Sequence, residues 1–271
     1  MIKKVSYKID GDEVFVTYKE GPTKGASFRY TVIAALLGGA LALLFGLGGA
    51  ALRNSAIGLL RTIGAIYTNM VRGVPDVLFF IFVPLAFEQL VELIIAQGVC
   101  PPGDTAGIWP PCPAANWYLG TFEYLLLASV SLGLVYGAFA ANVISGAMKA
   151  VPHGQLEAAR AFGLSKSQVL WRVHIRQMWI YALPGLSNCW LLLIKATSLL
   201  SLLQISDIVR GANLLGAPNF SRSAGLIHGD WRWAYYLALL VFYIMVTWVS
   251  EKGFATLTRW ASRGMPLPER T

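Results

Sequence analysis

The sequence predicts an all-α, polytopic membrane protein of about five transmembrane helices, and three observations carry that prediction. Of its 271 residues, 56% are hydrophobic and only 13% charged, whereas soluble domains run near a quarter charged. Four stretches without a single charge, residues 30–52, 124–148, 177–194 and 233–250, are 18 to 25 residues long. A helix of about 20 apolar residues crosses a bilayer core. Lys and Arg also gather in alternate loops, as they do in chains threaded repeatedly through a membrane.

Taken in order, the first 27 residues are polar, and the alternation in "VSYKIDGDEVFVTYKE" predicts a small hairpin around Asp10-Gly11. No cleavable signal is visible, so the first span, 30–52, must itself direct insertion. The second span is less clean. "TIGAIYTNMV" leads through Arg72 and Asp76 to "VLFFIFVPLAF", which predicts a helix of about residues 62–87 with its two charges turned towards protein. The third, fourth and fifth spans follow from the remaining uncharged runs.

Orientation follows from the loops. Residues 53–61 carry Arg53 and Arg61, and residues 149–176 carry Lys149, Arg160, Lys166, Arg172 and Arg176 against Glu157 alone. The C-terminal stretch carries Lys252, Arg259, Arg263 and Arg270, while residues 73–148 contain no Lys or Arg. The basic segments are predicted to be cytoplasmic, which places the N-terminus outside although its own Lys residues lean the other way. The net charge of +8 is then a matter of topology and not a nucleic-acid footprint. Trp109, Trp117, Trp231, Trp233 and Trp260 suit interfacial belts. Cys189 lies within a span. Cys100 and Cys112 bracket "CPPGDTAGIWPPC" in a loop assigned outside, where an oxidising compartment would let them bridge; the alternative is two free thiols. No metal site is expected there, since no His is near.

Between the third and fourth spans, "GQLEAARAFGLSKSQ" is well punctuated. Pro152 suits a first helical turn and Gly163 a left-handed position that ends a helix. Ser165 with Gln168 three residues on forms a capping box. The prediction is a short helix over 153–162, a turn at Gly163-Leu164, and a second helix from Lys166 into the membrane. Leu156, Ala159 and Phe162 are expected on one stripe, with Glu157, Ala158 and Ala161 leaving a narrow opposite side. Such a helix suits docking into a groove; a solvated connector is the plain alternative. A DNA-reading helix-turn-helix is the third option, disfavoured because both helices are tethered within a few residues of spans.

At this point the residues resemble a known family. "GQLEAARAFGLSKSQVLWRVHIRQMWIYALPG" resembles the EAA loop of ABC-importer permeases: Glu157, Ala158, Ala159 and Gly163 stand in register, and Ile175 follows at the expected distance. Arg176 and Gln177 replace the usual Leu-Pro, and Pro184 comes later. "YTNMVRGVPDVLFFIFV" is similar to the Arg-Gly-x-Pro signature of the polar amino-acid branch, and "LLLIKATSLLSLLQISDIV" to its Lys-x-Thr-Ser stretch. The likeness is nearest to the histidine/lysine/arginine/ornithine and opine permeases. It implies a type I ABC-importer fold with a polar extension at 1–27, a permease domain at 28–262 holding the EAA loop at 152–177, and a tail at 263–271.

The resemblance implies a transport subunit rather than an enzyme. Its coupling helix, Gly154, Glu157, Ala158, Ala159 and Gly163, would fit an ABC ATPase dimer that binds ATP and Mg, with no cofactor in this chain. A second homologous permease or a copy of this one, a periplasmic binding protein and membrane lipid complete the implied heterotetrameric system, with no nucleic acid. The substrate would be a polar amino acid or opine, basic ones first, imported across a bacterial inner membrane. No Gly-Lys-Ser/Thr motif, catalytic constellation or metal cluster is present, and His153, His174 and His228 are scattered. Where the branch commonly has charged residues, this chain has Asn69, Asn142 and Ser145.

Charges near the spans are costly unless paired or wet. Arg72 and Asp76, four apart on one predicted helix, could neutralise each other, with Pro75 kinking the helix between them; alternatively Asp76 faces the pathway and meets a cationic substrate. Arg72, Pro75, Asp76, Asn142, Lys195, Thr197 and Ser198 are the pathway or gate candidates. A stand-alone secondary transporter or channel is the competing function, disfavoured by the lack of an internal repeat. A membrane-embedded enzyme is the third, with no polar cluster to support it.

Overall fold

The computed structural model describes residues 5–10, 13–18, 26–100, 112, 115, 120–203, 205–218, 220 and 229–263. The strands form where the alternation predicts them: β1, Val5–Asp10, pairs antiparallel with β2, Glu13–Tyr18, and Asp10 stands opposite Glu13. Nine helices follow among the described residues. These are α1 (Ala26–Arg53), α2 (Gly58–Gly73), α3 (Asp76–Val99), α4 (Thr121–Ala150), α5 (His153–Ala161), the single turn α6 (Lys166–Gln168), α7 (Ile175–Ala196), α8 (Ile208–Gly216) and α9 (Arg232–Ala261). A π-helical segment, Val169–His174, joins α6 to α7, and a 3₁₀ segment, Thr197–Leu203, prolongs α7. Five helical stretches are long and apolar enough to cross a membrane: Ser27–Arg53, Asp76–Val99, Thr121–Ala150, Lys166–Leu203 and Arg232–Ala261. A helix satisfies its own backbone, which is what hydrocarbon demands.

The predicted helix over 62–87 does not exist as one piece. Proline disfavours helical backbone in the residue before it, and Val74 is extended, with ψ 139°. The chain therefore ends α2 at Gly73 and restarts at Asp76, so Pro75 opens a helix instead of kinking one.

The core is built on α1 and α4, which share the most extensive interface in the molecule. They run parallel. A Cβ placed on Gly133 would lie 2.6 Å from the Cβ of Leu41, and one on Gly46 would lie 2.7 Å from that of Ala140. Neither position has room for a side chain, and small residues let membrane helices approach this closely. Antiparallel to this pair run α3, with Asp76 by Tyr136 and Glu88 by Tyr124, and α7, with His174 by Met148 and Gly185 against Val143. On the outside, α9 packs on α7 and α8 and buries none of its residues. The directions alternate, so the ends of α1, α4 and α9 lie together at the end of the bundle that carries α5. The three basic segments of the sequence share that end. Trp231, Trp233 and Trp260 are exposed at the two ends of α9, as a belt requires; Trp109 and Trp117 lie outside the described residues, as does nearly all of the 263–271 tail.

Candidate functional site

The turn from α5 into α6 is closed on both sides by local hydrogen bonds. Gly163 adopts φ +83°, a conformation costly for residues with a Cβ. Its N–H donates to Arg160 O at 2.9 Å, while Leu164 N–H donates to Ala159 O at 3.3 Å. That bond pair is a Schellman ending. One residue on, Ser165 Oγ accepts from Gln168 N–H at 3.4 Å and the Gln168 side chain accepts from Ser165 N–H at 2.9 Å, the reciprocal capping box.

The faces of α5 are divided sharply. Ala159 is buried and Leu156 packs against a cluster of Ile144, Ala147, Val151 and Met178. Glu157, Ala158, Arg160 and Ala161 are exposed. Phe162 is not on the inner stripe where its spacing placed it. The helix ends one residue earlier than predicted, and Phe162, as the C-cap, turns out with 88% of its surface exposed. Gly154 sits in the first turn with open space around it, so no steric need for glycine is visible there. Two polar contacts fasten the loop: His174 Nε2, donating to a carbonyl that can only accept, bonds Met148 O at 2.8 Å, and Gln177 bonds Gln155. His174 closes the π-helical segment, a form that recurs at functional positions.

The charged candidates lie elsewhere. Arg72 and Asp76 do not pair, because the break at 74–75 puts them on different helices. Asp76 accepts from Tyr136 OH at 2.9 Å and from Val77 N–H at 3.0 Å. The Arg72 guanidinium stands 5.3 Å from the centroid of the Phe139 ring, a cation–π contact. Both charges are thus answered by neighbouring aromatics near the middle of α4, and residues 72–75 are exposed on the surface of the single chain. Non-helical backbone at membrane depth is tolerated only against protein or a water-filled cavity.

Asn142 and Ser145 lie on α4 near the α5 end, bonded to Arg53 and Asn54. Lys195 is exposed at the far end of α7, where its carbonyl accepts from Ser198 Oγ at 2.8 Å; buried Thr197 donates to Ile194 O at 2.7 Å. The candidates therefore fall at three levels of the bundle and do not form one site. None lines the half-open cavity of about 220 Å³ lined by Gly39, Tyr136, Cys189, Trp190, Leu193 and Phe254, whose apolar wall has no charge for an ionic ligand. Cys100 and Cys112 are joined in a disulfide that packs on Ala96 and Ala115, at the end of the bundle opposite α5.

Sequence reasoning passed over Asp207. Its side chain is fully buried, and its Oδ1 caps α8 by accepting from Arg210 N–H at 2.8 Å. Its Oδ2 is buried without a partner, and burial pushes the carboxyl up to about 6. An Asp directly before a helical run was the available signal.

The chain is similar to known proteins. The family described as binding-protein-dependent transport system inner membrane component is matched over residues 38–252. The nopaline transport system permease protein NocQ of Agrobacterium fabrum is 34% identical over 235 residues, covering 87% of this chain and 89% of that protein. The arginine ABC transporter permease protein ArtQ of Escherichia coli is 34% identical over 185 residues, 68% of this chain and 74% of its own. Among solved structures, an amino acid ABC transporter with histidines superposes with a TM-score of 0.62 at 19% identity, covering 86% of this chain and 91% of that one.

Proposed function

This chain belongs to the family of binding-protein-dependent transport inner membrane components, the permease subunits of ABC importers, and we propose that it passes polar amino acids or opines, basic ones first, into the cytoplasm. Members of this family are membrane-embedded transport components rather than enzymes, working with an ATPase and a binding protein. The substrate class rests on the relatives, one a nopaline and one an arginine permease. Sequence closeness supports it, and the apolar cavity described above does not add to it.

The observation that carries the mechanism is the α5 loop. A helix that closes its C-terminal end with its own hydrogen bonds, buries Ala159, packs Leu156 on the cluster beneath and presents Glu157, Ala158, Ala161 and Phe162 is a rigid part offered to a groove. We assign that groove to an ABC ATPase dimer, which holds ATP and Mg. The α5 end is then cytoplasmic, with the N-terminus, the disulfide and the binding protein on the other side of a bacterial inner membrane. Residues 72–75, exposed at mid-depth, would face the pathway and a second permease, homologous or identical. Gly163 sets the stop of the docking helix.

The test is reconstitution with the ATPase and binding protein in proteoliposomes. ATP-dependent uptake of arginine or nopaline is expected. Glu157→Lys should keep insertion but abolish stimulation of ATP hydrolysis by loaded binding protein. Uptake without any ATPase would overturn the assignment in favour of a stand-alone transporter. A single Cys at position 155 should react with an impermeant reagent only after the membrane is opened; the reverse would overturn the orientation.

A further inference from the structure

We propose that Arg53, Asn54, Asn142 and Ser145 form a clasp that makes the ends of α1 and α4 and the start of α2 one body, so that displacement of α5 reaches the α1–α2 corner. They act as positioning residues for coupling. The proposal rests on α5 docking the ATPase.

The contacts form a continuous train. Arg53 Nη1 donates to Asn142 Oδ1 at 2.7 Å, Ser145 Oγ donates to Asn54 Oδ1 at 3.1 Å, and Asn54 Nδ2 lies 3.5 Å from Met148 Sδ. Residues 142, 145 and 148 succeed one another at helical spacing, so a single stripe of α4 meets two consecutive residues at the end of α1. Met148 is shared: its carbonyl accepts from His174. Two residues beyond Ala150, the chain enters α5 through Pro152, whose fixed φ leaves little slack. On the other flank, a Cβ on Gly64 would lie 2.5 Å from Arg53 N. Whatever shifts Arg53 therefore shifts α2, and α2 ends at the break beside Asp76.

Apolar surfaces can slide past one another, but these bonds are directional. Breaking the bond to Ser145 leaves a buried hydroxyl unsatisfied, and breaking the bond to Asn142 a half-buried amide. Asn142 is a neutral acceptor for a permanent cation, and no acid pairs with Arg53 among the described residues. The clasp thus holds position without an ion pair.

The experiment uses the complete reconstituted complex and measures two things: the ATPase that co-purifies, and the ATP hydrolysed per substrate imported. Asn142→Ala with Ser145→Ala should retain the ATPase yet raise that ratio about tenfold, the effect of losing ~1.4 kcal/mol of coupling. Asn54→Cys with Ser145→Cys supplies the second arm. Reduced, it should be uncoupled; oxidised to a covalent clasp, it should regain the unmodified ratio, with each single Cys variant controlling for the native bridge. An unchanged ratio in the alanine pair, or an oxidised pair as uncoupled as the reduced one, would overturn the clasp. An alanine pair that fails to assemble leaves the decision to the cysteine pair. Should the unmodified chain retain no ATPase, the docking assignment fails first and the clasp falls with it.

Discussion

Two places interrupt the passage of this chain through the membrane, and they are held in opposite ways. The turn of the α5 loop takes its shape from within: the Schellman ending at Gly163 and the box between Ser165 and Gln168 span at most five residues each. The break at residues 74–75 is fastened from outside, by Tyr136 on Asp76 and Phe139 under Arg72, about 60 residues away. A segment that satisfies its own bonds can be displaced as a unit without coming apart. One that borrows its partners keeps its shape only while the lender stays in place. The first suits a part that is pushed, the second a part that must respond when α4 moves.

The sharpest way to break this contrast is Gly163→Pro. Proline cannot reach φ +83° and has no N–H for Arg160 O, so uptake by the reconstituted complex should fall to background while membrane insertion stays normal. Retained uptake would mean that the loop's shape is imposed by its surroundings. Next in size is the break. Asp76→Asn and Tyr136→Phe should each lower the melting temperature in detergent. In a double-mutant cycle they should couple by about 1 kcal/mol or more. Adding Arg72→Gln to Asp76→Asn should restore nothing; restoration would revive a direct pair between the two charges.

Asp207 offers a case between the two, capping its own helix while buried by others. Its carboxyl, raised to about 6, holds a proton more tightly folded than unfolded. Its contribution is therefore present at low pH and lost as pH rises through 6. Melting followed from pH 7 to pH 5 should gain stability relative to Asp207→Asn, which keeps a capping oxygen but cannot titrate; parallel curves would count against the buried carboxyl. The smallest effect is expected from Ser165→Ala, about 1 kcal/mol of local stability, seen as faster amide exchange at Lys166–Gln168 with transport reduced but present.

These cases also explain what could be foreseen from the residues. Hairpin, spans, Gly163 and Ser165 were legible because each depends on neighbours within a few positions or on bulk hydropathy. Pro75 carried an equally local signal, its pressure on Val74, but the four-residue spacing of Arg72 and Asp76 suggested an unbroken helix with a pair upon it. Their real partners, Tyr136 and Phe139, have no trace in that spacing. Phe162 was misplaced by one residue of helix length. Asn142 and Ser145 could be noticed only as missing charges, since their partners at the end of α1 exist only in three dimensions.

The seam between α1 and α4 has a mechanical consequence. Where Gly133 meets Leu41 and Gly46 meets Ala140, backbone lies almost on backbone, with few rotamers between them to absorb strain. Such a joint has little compliance: the two helices behave as a single strut, and a thrust delivered at one end arrives at the other with almost no loss. A layer of long, flexible side chains would have acted as a cushion and spent the stroke on rearranging itself.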